Sequence, residues 1–170
     1  MELIYKPKKS LGQNFLIDRN IIKKIVEIEN INKTTEILEI GPGYGNLTKA
    51  LISKKPKKII AVEKDKKISF FLKNLLKDYK NVLIDNSDIL FSLKNNFGKN
   101  LIVFGNLPYN ISTQILASLI LLKKWPPWYK SLIFMFQKEV ADRIIAKSNS
   151  KDFGRLSILC NWRLEIKKHF

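Results

Sequence analysis

Short, continuous apolar runs alternate along the chain with segments whose apolar positions recur at helical spacing. Asp18 can cap a helix running through about Ile28, with Ile21, Ile22, Ile25 and Val26 on its apolar face. Residues 36–40 then read as a buried strand and 47–53 as part of a helix. A strand over 59–62 leads to a helix over 66–77, and a strand follows over 82–84. The pattern continues with a strand over 101–104, a helix over 112–122, a strand over 132–136 and a helix over 138–146. Residues 155–161 read as helical and 162–166 as a last strand. Strands alternating with helices predict an α/β fold, with right-handed crossovers and a mostly parallel sheet covered by helices on both faces. Ligands in such sheets bind at the carboxyl ends of the strands, so the residues just after each strand carry the candidate chemistry.

At 170 residues the chain has the length of one domain. No apolar run is long enough to span a bilayer; the longest, 115–122, is followed by Lys123 and Lys124. Residues 1–10 are polar and basic, unlike a secretory signal. The lone cysteine, Cys160, excludes an internal disulfide and is expected to be a small buried residue. With only His169 besides, the usual zinc sites are excluded, and no metal is expected. Charge changes the picture most. Lys and Arg number 31 against 15 Asp and Glu, giving a formal net charge of +16. A lysine-rich composition can reflect genome bias, but the excess of bases over acids favours a polyanionic partner, nucleic acid or an anionic surface.

The first predicted strand runs into Gly41-Pro42-Gly43-Tyr44-Gly45, a G-x-G-x-G turn rather than the G-x-G-x-x-G of dinucleotide sites. Such a turn suits close approach of a ligand to the backbone, and equally a sharp strand-to-helix connection. Glu63 follows the second strand, 22 positions after Gly41, close to the ~20-residue offset of a ribose-binding acid. Its alternative is to cap the next helix, for which Asp65 is better placed. After the third strand Asp88 could accept from an adenine amino group, or serve as a turn or cap residue. In series, Gly41, Glu63 and Asp88 outline a nucleoside pocket at three successive strand ends, similar to those of sheets that bind S-adenosylmethionine.

The fourth strand ends in Asn106-Leu107-Pro108-Tyr109, which resembles the [DNS]-P-P-[YF] motif of amino-group methyltransferases. An exocyclic amino nitrogen is a poor nucleophile because its lone pair is delocalised into the ring. Acceptors set against its two N–H groups favour a pyramidal nitrogen; the Asn106 side-chain oxygen and the Leu107 carbonyl are the candidates. Pro108 lacks an N–H and stiffens the turn, and Tyr109 offers a face for stacking, worth ~1–3 kcal/mol by analogy. The plainer alternative is a strand-ending turn with Tyr109 in the core.

The segment 9–16 (K-S-L-G-Q-N-F-L), the turn 39–45, Glu63 with Asp65, residues 106–113, the segment 137–143 (Q-K-E-V-A-D-R) and 153–157 (F-G-R-L-S) occur in an order that resembles the bacterial 16S rRNA adenine dimethyltransferases of the kasugamycin-sensitivity type. The resemblance covers nearly the whole chain. It implies a Rossmann-like S-adenosylmethionine-dependent methyltransferase fold, with a basic N-terminal arm over residues 1–17. Asn14 and Leu16 would contact the methionine end of S-adenosylmethionine, with Gly41, Gly43, Glu63, Asp88 and Asn106 completing its site. Asn106, Leu107, Pro108 and Tyr109 would form the catalytic centre. The implied substrate is a pair of adjacent adenosines near the 3′ end of small-subunit rRNA, each dimethylated, by a monomeric cytoplasmic enzyme of ribosome biogenesis. Family members complete the sheet with an antiparallel strand and add a helical C-terminal domain, so this chain is expected to be a fragment with an exposed sheet edge. Ser87 and Phe153 stand where the family commonly has glycine and tyrosine.

Competing readings are the macrolide-resistance methyltransferase of large-subunit rRNA, a DNA adenine methyltransferase, a non-catalytic RNA-binding assembly factor and a nicotinamide-dependent dehydrogenase. The wording of 137–143 and 153–157 favours the small-subunit enzyme over the first two. The intact residues 106–109 speak against loss of chemistry, and the glycine spacing against a nicotinamide site. The basic arm (Lys6, Lys8, Lys9) and the cluster Lys54, Lys55, Lys57 and Lys58 are candidates for phosphate contacts or simply solvated faces. The aromatic loop 125–129 is expected to cap the core rather than to stack on RNA.

Overall fold

In a computed structural model that describes residues 14–170 except Lys94 and Asn96, five strands form one sheet in the order β3-β2-β1-β4-β5. The strands are β1 (Glu36–Ile40), β2 (Lys58–Val62), β3 (Val82–Asp85), β4 (Leu101–Asn106) and β5 (Tyr129–Met135), and every pairing is parallel. The basic arm and the start of the 9–16 segment lie outside the described residues. Among the described residues seven helices precede, connect and follow the strands: α1 (Arg19–Val26), α2 (Asn46–Ser53), α3 (Lys66–Leu75), α4 (Ile89–Ser92), α5 (Ser112–Ile120), α6 (Lys138–Ile145) and α7 (Arg155–Arg163).

Alternation along the strands sends side chains to opposite faces. Ile37, Ile59, Ile102 and Phe104 pack under α1 and α2, while Ala61 and Ile84 pack under α3. Leu38, Ile40, Val62 and Val103 face the other way, against Ile89, Ile115 and Leu119 of α4 and α5. Beyond α5, Leu116 and Ile120 join Ile144 of α6 and the buried Cys160 of α7 in a further cluster. The helices thus divide between the faces, as the sheet pattern predicts. Each helix start is chemically marked where an aspartate precedes it: Asp18 accepts from the Asn20 and Ile21 N–H groups, and Asp65 from those of Lys67 and Ile68.

The predicted elements all appear except one, and one is added. Residues 162–166 form no strand: α7 runs on to Arg163, and 164–170 carry no ladder. The alternation of Leu164 and Ile166 with charged neighbours is instead used to pack both onto the cluster around Ile120 and Cys160. Arg163 holds the segment there. Its guanidinium donates to the carbonyls of Ile120 (2.8 Å) and Leu122 (3.0 Å) and lies against the Trp125 and Trp162 rings. The added element is α4, a single turn started by Asp88, too short for a periodic signal. In the aromatic loop Trp128 packs on the core beside Phe97 and Tyr129 is buried, so most of the loop caps the core; Trp125 stays 40% exposed.

Ser157 ties the last two helices together. Fully buried, it accepts from the Gly154 N–H (3.1 Å) and donates to the Arg143 carbonyl (2.6 Å). Ser157→Ala leaves both groups without that partner, and chemical denaturation is expected to show a loss of about 1–3 kcal/mol.

Candidate active site

The order of the strands places a switch point beside β1, whose neighbours β2 and β4 continue in opposite directions. Register does the rest. Ile40 pairs with Val62 on one side and Gly105 on the other, and Val62 pairs with Asp85. One residue further along, Gly41, Glu63, Asn86 and Asn106 therefore emerge together at the carboxyl edge. Two backbone bonds carry the ladder into this row, from Gly41 N–H to the Val62 carbonyl (3.0 Å) and from Glu63 N–H to the Asp85 carbonyl (2.9 Å).

The turn after β1 takes positive φ at Gly41, Gly43 and Gly45. At Gly43 a side chain is also excluded by contact, because a Cβ there would lie 2.8 Å from the Phe15 ring. Phe15 in turn rests on Tyr44, with ring centroids 4.6 Å apart. The chain entering α1 is thereby pressed onto the glycine turn, and the Asn46 side chain fastens it by donating to the Leu16 carbonyl (2.9 Å).

A cleft opens between this turn and the ends of β2, β3 and β4, lined by Asn14, Phe15, Gly41, Gly43, Glu63, Asp88, Asn106 and Pro108 among others. A smaller cavity adjoins it, lined by Asn14, Leu16, Glu39, Asn46 and Asn106. All the residues that the sequence marks for cofactor contact thus meet in one place. Glu63 is buried and its two oxygens accept from the backbone N–H groups of Asp65 (2.8 Å) and Gly43 (3.3 Å). Burial raises its pKa, and those two N–H groups partly offset the rise. Asp65, not Glu63, caps α3. Asp88 has two attachments: it starts α4 by accepting from the Leu90 N–H (3.0 Å), and its other oxygen pairs with the Lys64 ammonium (2.8 Å). Partial burial would raise its pKa, but the Lys64 bond and the Leu90 N–H outweigh that and hold the carboxyl below its ordinary value. Ser87 donates to Asp85 (2.9 Å) and shares a hydrogen bond with Ser92 (2.7 Å), closing the turn before Asp88.

At the end of β4, the Asn106 Nδ2 donates to the Asn14 carbonyl (2.6 Å). A carbonyl can only accept, so this bond fixes which end of the amide is nitrogen. It leaves Asn106 Oδ1 with no hydrogen-bond partner among the described residues. The Asn14 side chain donates to the Tyr109 hydroxyl, so the segment before α1 bridges both ends of the 106–109 motif. Tyr109 is 39% exposed rather than part of the core. The Leu107 side chain is buried among Ile89, Ile115 and Leu119, so only its backbone can take part in chemistry. Gly105 makes that burial possible, since a Cβ there would lie 2.6 Å from a Leu107 methyl and 3.2 Å from Phe134.

Glu39 is a residue that sequence reasoning passes over, because it sits inside a strand in a run that reads as core. It is 1% exposed, and its carboxyl oxygens form no hydrogen bond of good geometry among the described residues, the Thr48 hydroxyl being near but poorly aligned. Burial pushes its pKa up to about 8, against a smaller downward pull from the nearby Thr48 hydroxyl and a slight push from Glu63. The available signal was an acid at a position where strand alternation demands an apolar side chain. Gly105 and Phe15, too, become legible only through their contacts.

The sequence profile described as "Ribosomal RNA adenine dimethylase" matches residues 4–168. The ribosomal RNA small subunit methyltransferase A of Pelagibacter ubique (strain HTCC1062) is 52% identical over 167 residues, which is 98% of this chain and 63% of that protein. Among solved structures, a dimethyladenosine transferase from Plasmodium falciparum superposes with a TM-score of 0.73 at 32% identity, over 86% of this chain and 51% of its own. The 23S rRNA methyltransferase ErmE gives a TM-score of 0.70 at 26% identity, over 86% of this chain and 55% of its own. The chain spans less than two thirds of each of these proteins. It has the Rossmann-like methyltransferase fold, and with a profile match from residue 4 to residue 168 it belongs to the ribosomal RNA adenine dimethylase family.

Proposed function

We propose that this chain carries the catalytic centre of an S-adenosylmethionine-dependent enzyme that dimethylates two adjacent adenosines near the 3′ end of small-subunit ribosomal RNA, in the cytoplasm during ribosome biogenesis. The observation that carries the reading is the Asn106 amide. Its nitrogen is bound to the Asn14 carbonyl, and its oxygen is left to accept from a ligand at the edge of the cleft.

The residues present fit the cofactor. Glu39 lines the same small cavity as Asn14 and Leu16, and a cationic methionine end placed there would favour its ionised form. Gly43 and Gly41 keep the turn free of side chains, Glu63 suits the ribose hydroxyls, and Asp88 suits an adenine amino group. Bound there, S-adenosylmethionine would supply a methyl group already activated on a sulfonium, so no strong general base is required. The chain's own task is then to hold the target amino group. Asn106 Oδ1 and the Leu107 carbonyl accept its two N–H bonds, which favours a lone pair directed out of the ring plane. Pro108 adds no competing N–H at the turn. Tyr109, held by Asn14, offers its exposed ring to the base. Positioning of this kind supplies much of the rate in a transfer between two fixed reactants.

A small-subunit substrate is supported by the relative that is 52% identical and named for that subunit. The ErmE resemblance, at 26% identity, supports the chemistry more than the choice of RNA. Labelled methyl transfer to unmodified small subunits and to large-subunit RNA in parallel, followed by nucleoside mapping, tests the reading. Dimethyladenosine in the small-subunit RNA is expected; label confined to large-subunit RNA would overturn it.

Three substitutions probe the parts. Asn106→Ala is expected to lower the methyl-transfer rate by about 10²–10³ in single-turnover assays while leaving the thermal unfolding curve near that of the wild type. Asp88→Ala should weaken S-adenosylmethionine binding in calorimetry more than it weakens RNA binding; equal losses would remove Asp88 from the cofactor site. Glu39→Gln has a pH signature. Between the ordinary carboxyl pKa of 4.5 and about 8, the folded chain keeps a proton on Glu39 that the unfolded chain releases. Wild-type stability therefore falls as pH rises through that window, by up to ~1.4 kcal/mol per pH unit. The melting temperature of Glu39→Gln minus that of the wild type, without cofactor, should grow from pH 5 to pH 8. A flat difference would mean the carboxyl is not the titrating group.

A further inference from the structure

A groove separates α1 from α2, and its walls are cationic. Arg19 and Lys23 line it from α1, one helical turn apart, and Lys49 and Lys54 line it from α2 and its end. Glu27 is the acid that lines it as well. Among the described residues none of the four cations has an ion-pair partner, whereas Lys57, Lys64, Lys130 and Lys138 are each paired with a carboxylate. The cluster at 54–58 is thereby split: Lys57 is bound to Glu36 at 2.6 Å, and Lys54 turns into the groove.

The floor of the groove argues for one kind of partner. Ile22, Ile25 and Val26, the apolar face of α1, are buried against the sheet, so the helix has no apolar stripe left for a bilayer. Apart from the exposed Ile17 at one end, the two opposed walls present mainly cationic and polar side chains, which suits a strand of phosphates lying between them. The groove also borders the small cavity beside the candidate site. Asn46 lines both the groove and the small cavity that holds Asn14, Glu39 and Asn106.

We propose that the α1–α2 groove is a phosphate track that seats a stretch of the RNA substrate, with Arg19, Lys23, Lys49 and Lys54 as its contacts. The proposal rests on the reading that the target adenosine is presented by RNA. It differs from a general effect of net charge because it assigns the contacts to one face.

The test uses the whole chain and unmodified small-subunit rRNA, with binding and methyl transfer measured over a series of salt concentrations. The triple variant Lys23→Gln, Lys49→Gln, Lys54→Gln is compared with Lys73→Gln, Lys77→Gln, Lys80→Gln, an equal loss of charge around the end of α3. The groove variant should raise KM for RNA about tenfold to a hundredfold near physiological salt. It should also flatten the slope of log affinity against log salt by about 2–3. Its kcat at saturating RNA and its S-adenosylmethionine affinity should stay at wild-type values, and the α3 variant should match the wild type throughout. Equal losses in the two variants, or an unchanged slope in the groove variant, would overturn the proposal. A wild-type chain that binds RNA without methylating it would sink the enzymatic reading alone, and the groove would still be decided by the slope. A wild-type chain that does not bind RNA would overturn both.

Discussion

The parallel pairing of β1 with β4, which sets Ile40 beside Gly105, is the constraint on which the chemistry depends. Among the described strands this is the one pairing between strands that are not consecutive in the chain. Because parallel strands share a direction, all their carboxyl ends open on the same side, and the residues one step beyond the last pair are brought level. Gly41 then lies against the Asn106 carbonyl, where an added Cβ would be 3.8 Å from its oxygen. A shift of β4 by one residue would turn Asn106 to the other face and put Leu107 in its place. Gly105 protects the register locally by leaving room for Leu107 to fold back into the core.

Glu63 and Asp88 line the cleft and Glu39 the small cavity beside it, and their surroundings set them apart. Burial pushes the Glu39 pKa up to about 8, with only the nearby Thr48 hydroxyl pulling the other way to any extent. Glu63 is held by two backbone N–H groups, so its position is fixed before any ligand arrives. Asp88 stays ionised, kept so by Lys64 and by the start of α4. Burial thus raises the pKa of Glu39 and of Glu63, whereas a counter-ion and a backbone N–H lower that of Asp88.

The net charge of +16 is not spread evenly in its effect. Surface lysines with a carboxylate nearby are locally neutralised, and exposed pairs of that kind add little to stability. The groove between α1 and α2 keeps its charge, since Glu27 alone faces four cations there. Unpaired like charges held close together are a cost to the isolated fold, and a polyanion relieves it. The same two helices bury their apolar faces on the sheet beside β1, so the surface that meets solvent and the core that supports the site are two sides of one pair of helices.

The amino-acid sequence alone determined which segments become strands and helices, because apolar period and aspartate caps are local signals; β1 is bounded at the residues the pattern marks, and Asp18 and Asp65 start the helices they precede. It also marked Asn14, Gly41, Gly43, Glu63, Asp88 and Asn106, since each follows a strand or belongs to a short motif. Tertiary structure alone decided that residues 162–166 would not pair as a strand, because Arg163 finds carbonyls at the end of α5, more than forty positions away. It alone decided that Glu39 would be buried, that Phe15 would require a glycine at 43, and that Asn106 would spend its amide nitrogen on the Asn14 carbonyl. Those outcomes depend on contacts between residues far apart in the chain, and no local pattern encodes which side chain will fill a given space or leave a given lone pair unused.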